Sequence, residues 1–120
     1  MNNFRDLTVW KDAMEIAKTV MSMSRSFPSE EKYGLISQIN RSAVSTPSNI
    51  AEGCGRNSSK EFCQFLSIAL GSSYELETQL ILAESFGYLK KVQLDELLGT
   101  ITKNQKMISK LILSIKASKA

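Results

Sequence analysis

Apolar residues recur at helical spacing through four long segments of this chain, and nowhere does alternation with a period of two persist over a useful length. That pattern restricts the fold to helices packed through apolar stripes. The first segment runs from about Leu7 to Ser26, with Trp10, Ala13, Met14, Ala17, Val20, Met21 and Ser24 on one face, and Phe27-Pro28 ends it. Ser29 is expected to cap a second helix with Glu30 and Glu31 in its first turn, where the helix dipole favours negative charge. Its inward face would be Leu35, Ile36, Ile39, Ala43 and Ile50. Ser58-Ser59-Lys60-Glu61 reads as a capping box opening a third helix through Phe62, Leu66, Ala69, Ser73, Leu76, Leu80 and Ala83, which Gly87 terminates. The fourth carries Leu94, Leu97, Leu98, Ile101, Ile108, Leu111, Ile112 and Ile115, and Lys90 and Lys91 oppose the dipole at its start, where fraying is expected. Short joints between four long helices predict an all-α, antiparallel up-down-up-down four-helix bundle, and 120 residues make one domain.

Pro47 interrupts this simple picture. Inside a helix it lacks a backbone donor and clashes with the carbonyl four residues back, which costs about 3 kcal/mol. Two arrangements accommodate it: Thr46 caps a new helix with Pro47 at its first position, or one helix continues through a kink near Pro47 while the Ser42 or Thr46 hydroxyl takes up freed backbone groups. In both, helical structure stops at Gly53-Cys54-Gly55. The lone Gly-x-Gly there follows no strand and precedes no Gly-Lys-Ser/Thr, which excludes a dinucleotide or P-loop site. A different anion site is conceivable, built from the turn at Gly53 to Asn57, the forked cation of Arg56 and the first N–H groups of helix three; the plain alternative is a glycine-rich connector with a solvated arginine.

Histidine is absent, which removes Ser-His-Asp and Cys-His catalysis, and no cofactor or metal is expected. Cys54 and Cys63 match no redox or disulfide spacing, and no apolar run approaches the ~20 residues of a membrane span, so a cytoplasmic protein with two thiols and no membrane association is expected. The formal charge is only +3 but unevenly placed: Gly99 to Ala120 holds five lysines and no acid. Phe65, Ile68, Ile81 and Leu82 lie off the main stripe of helix three, and Met107 and Leu113 off that of helix four; a bundle has one interior, so this surplus either meets solvent or meets another chain.

The stretches FRDLTVWKDAMEIA, SQINRSAVSTPSNIAEGCGR, KEFCQFLSIALGSSYELETQL and AESFGYL resemble the four-helix bundle family encoded in intervening sequences of bacterial large-subunit ribosomal RNA genes. The run Pro-Ser-Asn-Ile-Ala-Glu-Gly followed by Arg56 is the most specific part. That family is similar to the accessory variability determinant of diversity-generating retroelements, a pentamer that binds nucleic acid and a reverse transcriptase. The resemblance implies a kinked second helix, a homo-oligomer, in particular a pentamer, and structured RNA or a ribonucleoprotein as partner. Asn40, Thr46 and Lys90-Lys91 depart from the family pattern, and the first weakens its basic cluster.

The leading expectation is a non-enzymatic bundle that contacts RNA phosphates through Lys11, Lys18 and Arg25 on helix one, Arg41, Arg56, Lys60, and Lys103, Lys106 and Lys110 on helix four. Such cations follow phosphates by charge and leave specificity to RNA shape. Cations beside an apolar seam are also ordinary solvated flanks, and the resemblance is what favours RNA. The alternative is a protein-interaction scaffold, for example for a reverse transcriptase, without direct RNA binding. An enzyme built on Glu52, Glu61, Glu75, Glu77 or Glu84 lacks a recognisable nucleophile or base.

Overall fold

The computed structural model describes residues 3–118. A 3-10 turn, Phe4–Asp6, precedes helix α1, Thr8–Ser24; a second, Ser29–Glu31, leads to α2, Leu35–Cys54; α3, Ser59–Ser85, and α4, Lys91–Ser118, complete the chain. Among the described residues there is no strand. Successive helices pack on one another, α4 closes back on α1, and the diagonal pairs bring no Cα atoms within 8 Å. This is the four-helix, up-down-up-down square that the periodicity predicts. At 1.5 Å per residue α4 is about 42 Å long, most of the 49 Å long axis.

The chain is turned at each end by local chemistry. Ser58 Oγ accepts the Glu61 N–H at 3.1 Å and donates to Glu61 Oε1 at 3.2 Å, so the expected capping residues start α3. At its other end Gly87, with φ +79°, donates to the Glu84 carbonyl while Tyr88 N–H reaches the Ala83 carbonyl, the paired bonds of a Schellman stop. The lysines at the start of α4 are compensated: Gln93 Oε1 accepts the Lys90 N–H at 2.8 Å, and Lys91 pairs with Asp95 at 2.7 Å, which raises the Lys91 pKa. Glu31 joins the two connections at that end of the bundle. One of its oxygens accepts the Leu35 N–H, and the other accepts the Tyr88 hydroxyl at 2.8 Å, a bond that pushes the tyrosine pKa up.

Two local expectations change. Residues 29–31 form only a 3-10 turn and Ser29 makes no capping bond, because α2 begins six residues later, after Gly34. On α1 the buried stripe is Val9, Ala13, Ile16, Ala17, Val20 and Ser24, rotated from the expected one; Met21 faces outward and Trp10 is half-buried, edge-on to Phe4.

The core has two apolar parts. Ile16, Val20, Ile39, Leu80, Leu94 and Ile101 belong to the larger, and Val9, Ala13, Ile50, Leu66, Ala69 and Ile108 form the smaller. The four helices reach the smaller cluster with the N-terminal halves of α1 and α3 and the C-terminal halves of α2 and α4, as an antiparallel bundle requires. Between the two clusters along each of α2, α3 and α4 lie buried polar residues: Ser42 and Thr46, Ser72 and Ser73, Asn104 and Gln105. All but Ser42 have a side-chain hydrogen bond. Asn104 Nδ2 donates to the Val9 carbonyl at 3.0 Å, Gln105 Nε2 donates to Ser73 Oγ and Glu77 Oε1, and the Ser45 and Ser72 hydroxyls pair at 2.8 Å.

Pro47 sits in the interior of one continuous helix, which decides between the two arrangements. Thr46 Oγ1 donates to the Ser42 carbonyl at 3.2 Å, an ordinary back-bond four residues up the helix rather than the expected bond to the Ala43 carbonyl that Pro47 leaves without its donor. Near the end of α2, Gly53 lets α3 approach: a Cβ there would lie 2.7 Å from Phe65 Cβ and 3.2 Å from the Phe62 carbonyl. Cys54 and Cys63 are both buried nearby.

Two substitutions on α2 should therefore act in opposite senses. Gly53→Ala forces the helices apart, and overpacking of about 1–3 kcal/mol should outweigh the ~0.8–1.0 kcal/mol gain in helix propensity. Thermal unfolding should shift down by roughly 4 °C per net kcal/mol lost. Pro47→Ala removes a clash worth about 3 kcal/mol but gives up two buried ring carbons at ~0.8 kcal/mol each and some unfolded-state restriction. Its melting temperature should stay level or rise slightly; a fall of many degrees would show that the proline geometry itself is required for packing.

Candidate nucleic-acid interface

The nine cations singled out in the sequence are all exposed, and the fold distributes them over three places. Lys11, Lys18 and Arg25 follow one another by sevens along α1, and Lys103, Lys106 and Lys110 occupy one ridge of α4. These two helices are neighbours. The bond from Asn104 to the Val9 carbonyl sets the start of α1 beside the middle of α4, so Lys11 and the three α4 lysines share one side of the bundle. Between α1 and α4 runs an open groove of about 880 Å³ floored by Ile16, Met23 and Leu97, with Lys18 and Lys103 among its walls. Acids interrupt it: Lys18 Nζ is 3.1 Å from Glu15, and Asp12 and Glu96 also line it. Among the described residues no ion pair engages Lys11, Lys103, Lys106 or Lys110. Lys119, the last of the C-terminal lysines, lies outside the described residues.

Arg56 and Lys60 stand at the connection between α2 and α3, at the same end of the bundle as Lys110 but on the opposite side from the α1–α4 groove. Arg56 is already engaged. Its guanidinium bonds Glu52 Oε2 at 2.7 Å and lies 4.7 Å from the centre of the Phe65 ring. The N-terminal donors of α3 are partly taken as well, Glu61 N–H by the Ser58 hydroxyl and Phe62 N–H by the Ser58 carbonyl. A phosphate here would have to displace the Glu52 carboxylate from Arg56. Glu52 stands in the last turn of α2 and Arg56 four residues on, just past the Gly55 cap, a spacing that was readable in advance.

Arg41 is elsewhere again. It lines a polar cleft of about 340 Å³ between α2 and α3, together with Gln38, Ser45, Ser72, Glu75 and Gln79. The Gln79 Oε1 atom in this region is buried without a hydrogen-bond partner. Sequence periodicity gave no sign of this cleft, because it arises where small side chains of two helices face each other.

Three of the five carboxylates considered for catalysis serve other ends: Glu52 holds Arg56, Glu61 caps α3, and Glu77 accepts from buried Gln105. Among the described residues no group of three potential ligands is placed to hold a metal ion, and no helix is long and apolar enough to cross a membrane. The aromatic residues form no common stacking surface: Trp10 packs on the smaller core cluster, Tyr88 bonds Glu31, and Tyr33 is 89% exposed beside Lys32. Of the surplus apolar residues, Ile68, Ile81, Leu82 and Leu113 are exposed, while Phe65 and Met107 are half-buried, the former under Arg56 and against Gly53.

Residues 5–110 match the family model described as 23S rRNA-intervening sequence protein. A crystal structure of a protein of unknown function from the S23 ribosomal protein family of Bacteroides thetaiotaomicron has the same fold, with TM-score 0.81 and 26% sequence identity over 88% of this chain and 98% of that one. No curated protein matches the chain.

Proposed function

This chain belongs to the 23S rRNA-intervening sequence protein family, and from that premise we propose that it is a non-enzymatic, cytoplasmic helical bundle that binds structured RNA through the cations of α1 and α4. The observation that carries the reading is the ridge of Lys103, Lys106 and Lys110, exposed, unpaired by any acid among the described residues, and set beside Lys11. Along the helix axis these lysines are separated by about 4.5 and 6 Å, close enough to act on successive backbone charges. Arg41, Arg56 and Lys60 are secondary contacts in this reading, since Arg56 is neutralised in place.

The bundle acts as a homo-oligomer, a pentamer by family resemblance. Support comes from the outer face of α3, where Ile68, Tyr74, Ile81 and Leu82 are all at least 43% exposed. Gly71 lies among them with nothing within 4 Å of where its Cβ would be. A glycine inside a helix costs ~0.8–1.0 kcal/mol relative to alanine, and within one protomer no close approach offsets that. The same face favours the second reading, a scaffold for a different protein with RNA contact only indirect.

Two measurements decide. Replacing Lys103, Lys106 and Lys110 with glutamine should weaken binding to structured RNA regardless of sequence and flatten log affinity against log salt by roughly 2 to 3 units; the Arg41/Arg56/Lys60 alanine triple should change the slope less. If the α4 triple keeps affinity and slope, the cations are bystanders and the scaffold reading stands. Light scattering at micromolar concentration should give a mass above the protomer, and Ile68→Glu with Leu82→Glu should return a folded monomer. A monomeric parent protein would overturn the assembly.

A further inference from the structure

We propose that the exposed stripe of α3 in one copy of this chain seats in the groove between α1 and α4 of the next, so that the copies join head to tail. The inference rests on the homo-oligomer reading above and names the two surfaces that meet. Between Gln64 and Ser85, Glu75 is the single charged residue among the exposed positions of α3. Solvated faces of this bundle look different: the outward positions of α4 carry Lys103, Lys106, Lys110 and Lys116. The large members of the stripe, Ile68, Tyr74, Ile81 and Leu82, are all between 43% and 51% exposed, and contiguous apolar surface of this kind marks a contact. Because α3 stands diagonal to α1, the stripe cannot fill the groove of its own chain.

The groove offers the complementary spacing. Ile16 and Met23 stand seven residues apart on its floor, as Tyr74 and Ile81 do on the stripe, so a helix laid along it brings both pairs level, about 10.5 Å apart. This is helix-in-groove docking through anchors at i and i+7, with Leu82 beside the second. Asp12, Glu15 and Glu96 line the walls, where they repel RNA phosphates yet can stay wet in the polar rim around an apolar contact. Charge sets the direction of the seated helix. With Tyr74 over Ile16 and Ile81 over Met23, Glu75 comes level with Lys18 to within about 1.5 Å along the axis; reversed, it lies level with Ser22, about 6 Å farther along. The groove runs from Lys103 toward Ser26 and Gln93, away from Lys106 and Lys110, so the lysine ridge stays open beside the contact. Stripe and groove are different surfaces, and a contact of that kind closes into a ring when its rotation allows.

The test is thiol cross-linking of the full chain with a short bismaleimide. Cys54 and Cys63 are buried, so the parent protein should stay unlinked. Ile81→Cys and Ser22→Cys, both at exposed positions, should each remain single chains when expressed alone. Co-expressed, the two should give linked dimers, and the double variant should give a ladder extending beyond the dimer, with an unchanged circular dichroism spectrum throughout. Linked dimers from Ile81→Cys alone would show the stripe meeting itself and overturn the proposal. A double variant that stays unlinked while light scattering still gives an oligomer would overturn it too, leaving homo-oligomerisation standing through other surfaces. Linkage of Ile81→Cys to Thr100→Cys in place of Ser22→Cys would reverse the seated helix, remove the charge argument and overturn it as well. A monomeric mass for the parent protein would overturn both this pairing and the assembly on which it rests.

Discussion

The seam between α2 and α3 governs the rest of the molecule. Its closeness is set where Gly53 meets Phe62 and Phe65, since no side chain beyond hydrogen fits at Gly53 with α3 in its present position. Along the same seam Ser42, Ser45, Ser72 and Ala69 keep the facing side chains small, and Pro47 is buried within a helix that continues through it. Tight packing of one pair leaves the opposite pair, α1 and α4, to close the square more loosely, and the groove there follows.

Buried polar groups then divide the interior. An all-apolar stripe on α4 would let that helix slide past α1 by a turn with little loss, whereas Asn104 must keep its donor on the Val9 carbonyl. Gln105 does the same toward α3 through Ser73 and Glu77. Leaving such a buried amide unpaired costs about 1–3 kcal/mol, which penalises wrong registers more than it stabilises the right one. The ridges of Lys103, Lys106 and Lys110 inherit their position relative to Lys11 from that register.

Much of this was legible in the sequence, for identifiable reasons. Periodicity delivers four helices because each buries a stripe, and the Ser58 cap and Gly87 stop are local motifs that act through backbone bonds of near neighbours. Periodicity left Pro47 open, since a capped helix start and a helix interior leave the same residues inward; the family resemblance was what pointed to the interior of one helix, where it lies. The stripe of α1 was misplaced because Trp10 and Met21 are large and apolar yet sit at its margin, while Val9 and Ile16 are the buried positions. Asn104 and Gln105 occupy stripe positions between Ile101 and Ile108, and that spacing was the available sign of their burial. The nine cations were individually visible, and so were the local acids Glu15 and Glu52 three and four residues from Lys18 and Arg56, but which cations share a side depends on which helices are neighbours.

The central claim is that RNA lies along the α1–α4 side, and lysine acylation footprinting tests it most directly. With structured RNA bound at low salt, Lys11, Lys103, Lys106 and Lys110 should be protected from a small acylating reagent, while Lys32, Lys90 and Lys91, which are also exposed, should react as in the protein alone. Protection confined to Lys60, or no protection of the α4 ridge under conditions where RNA is bound, would contradict the account.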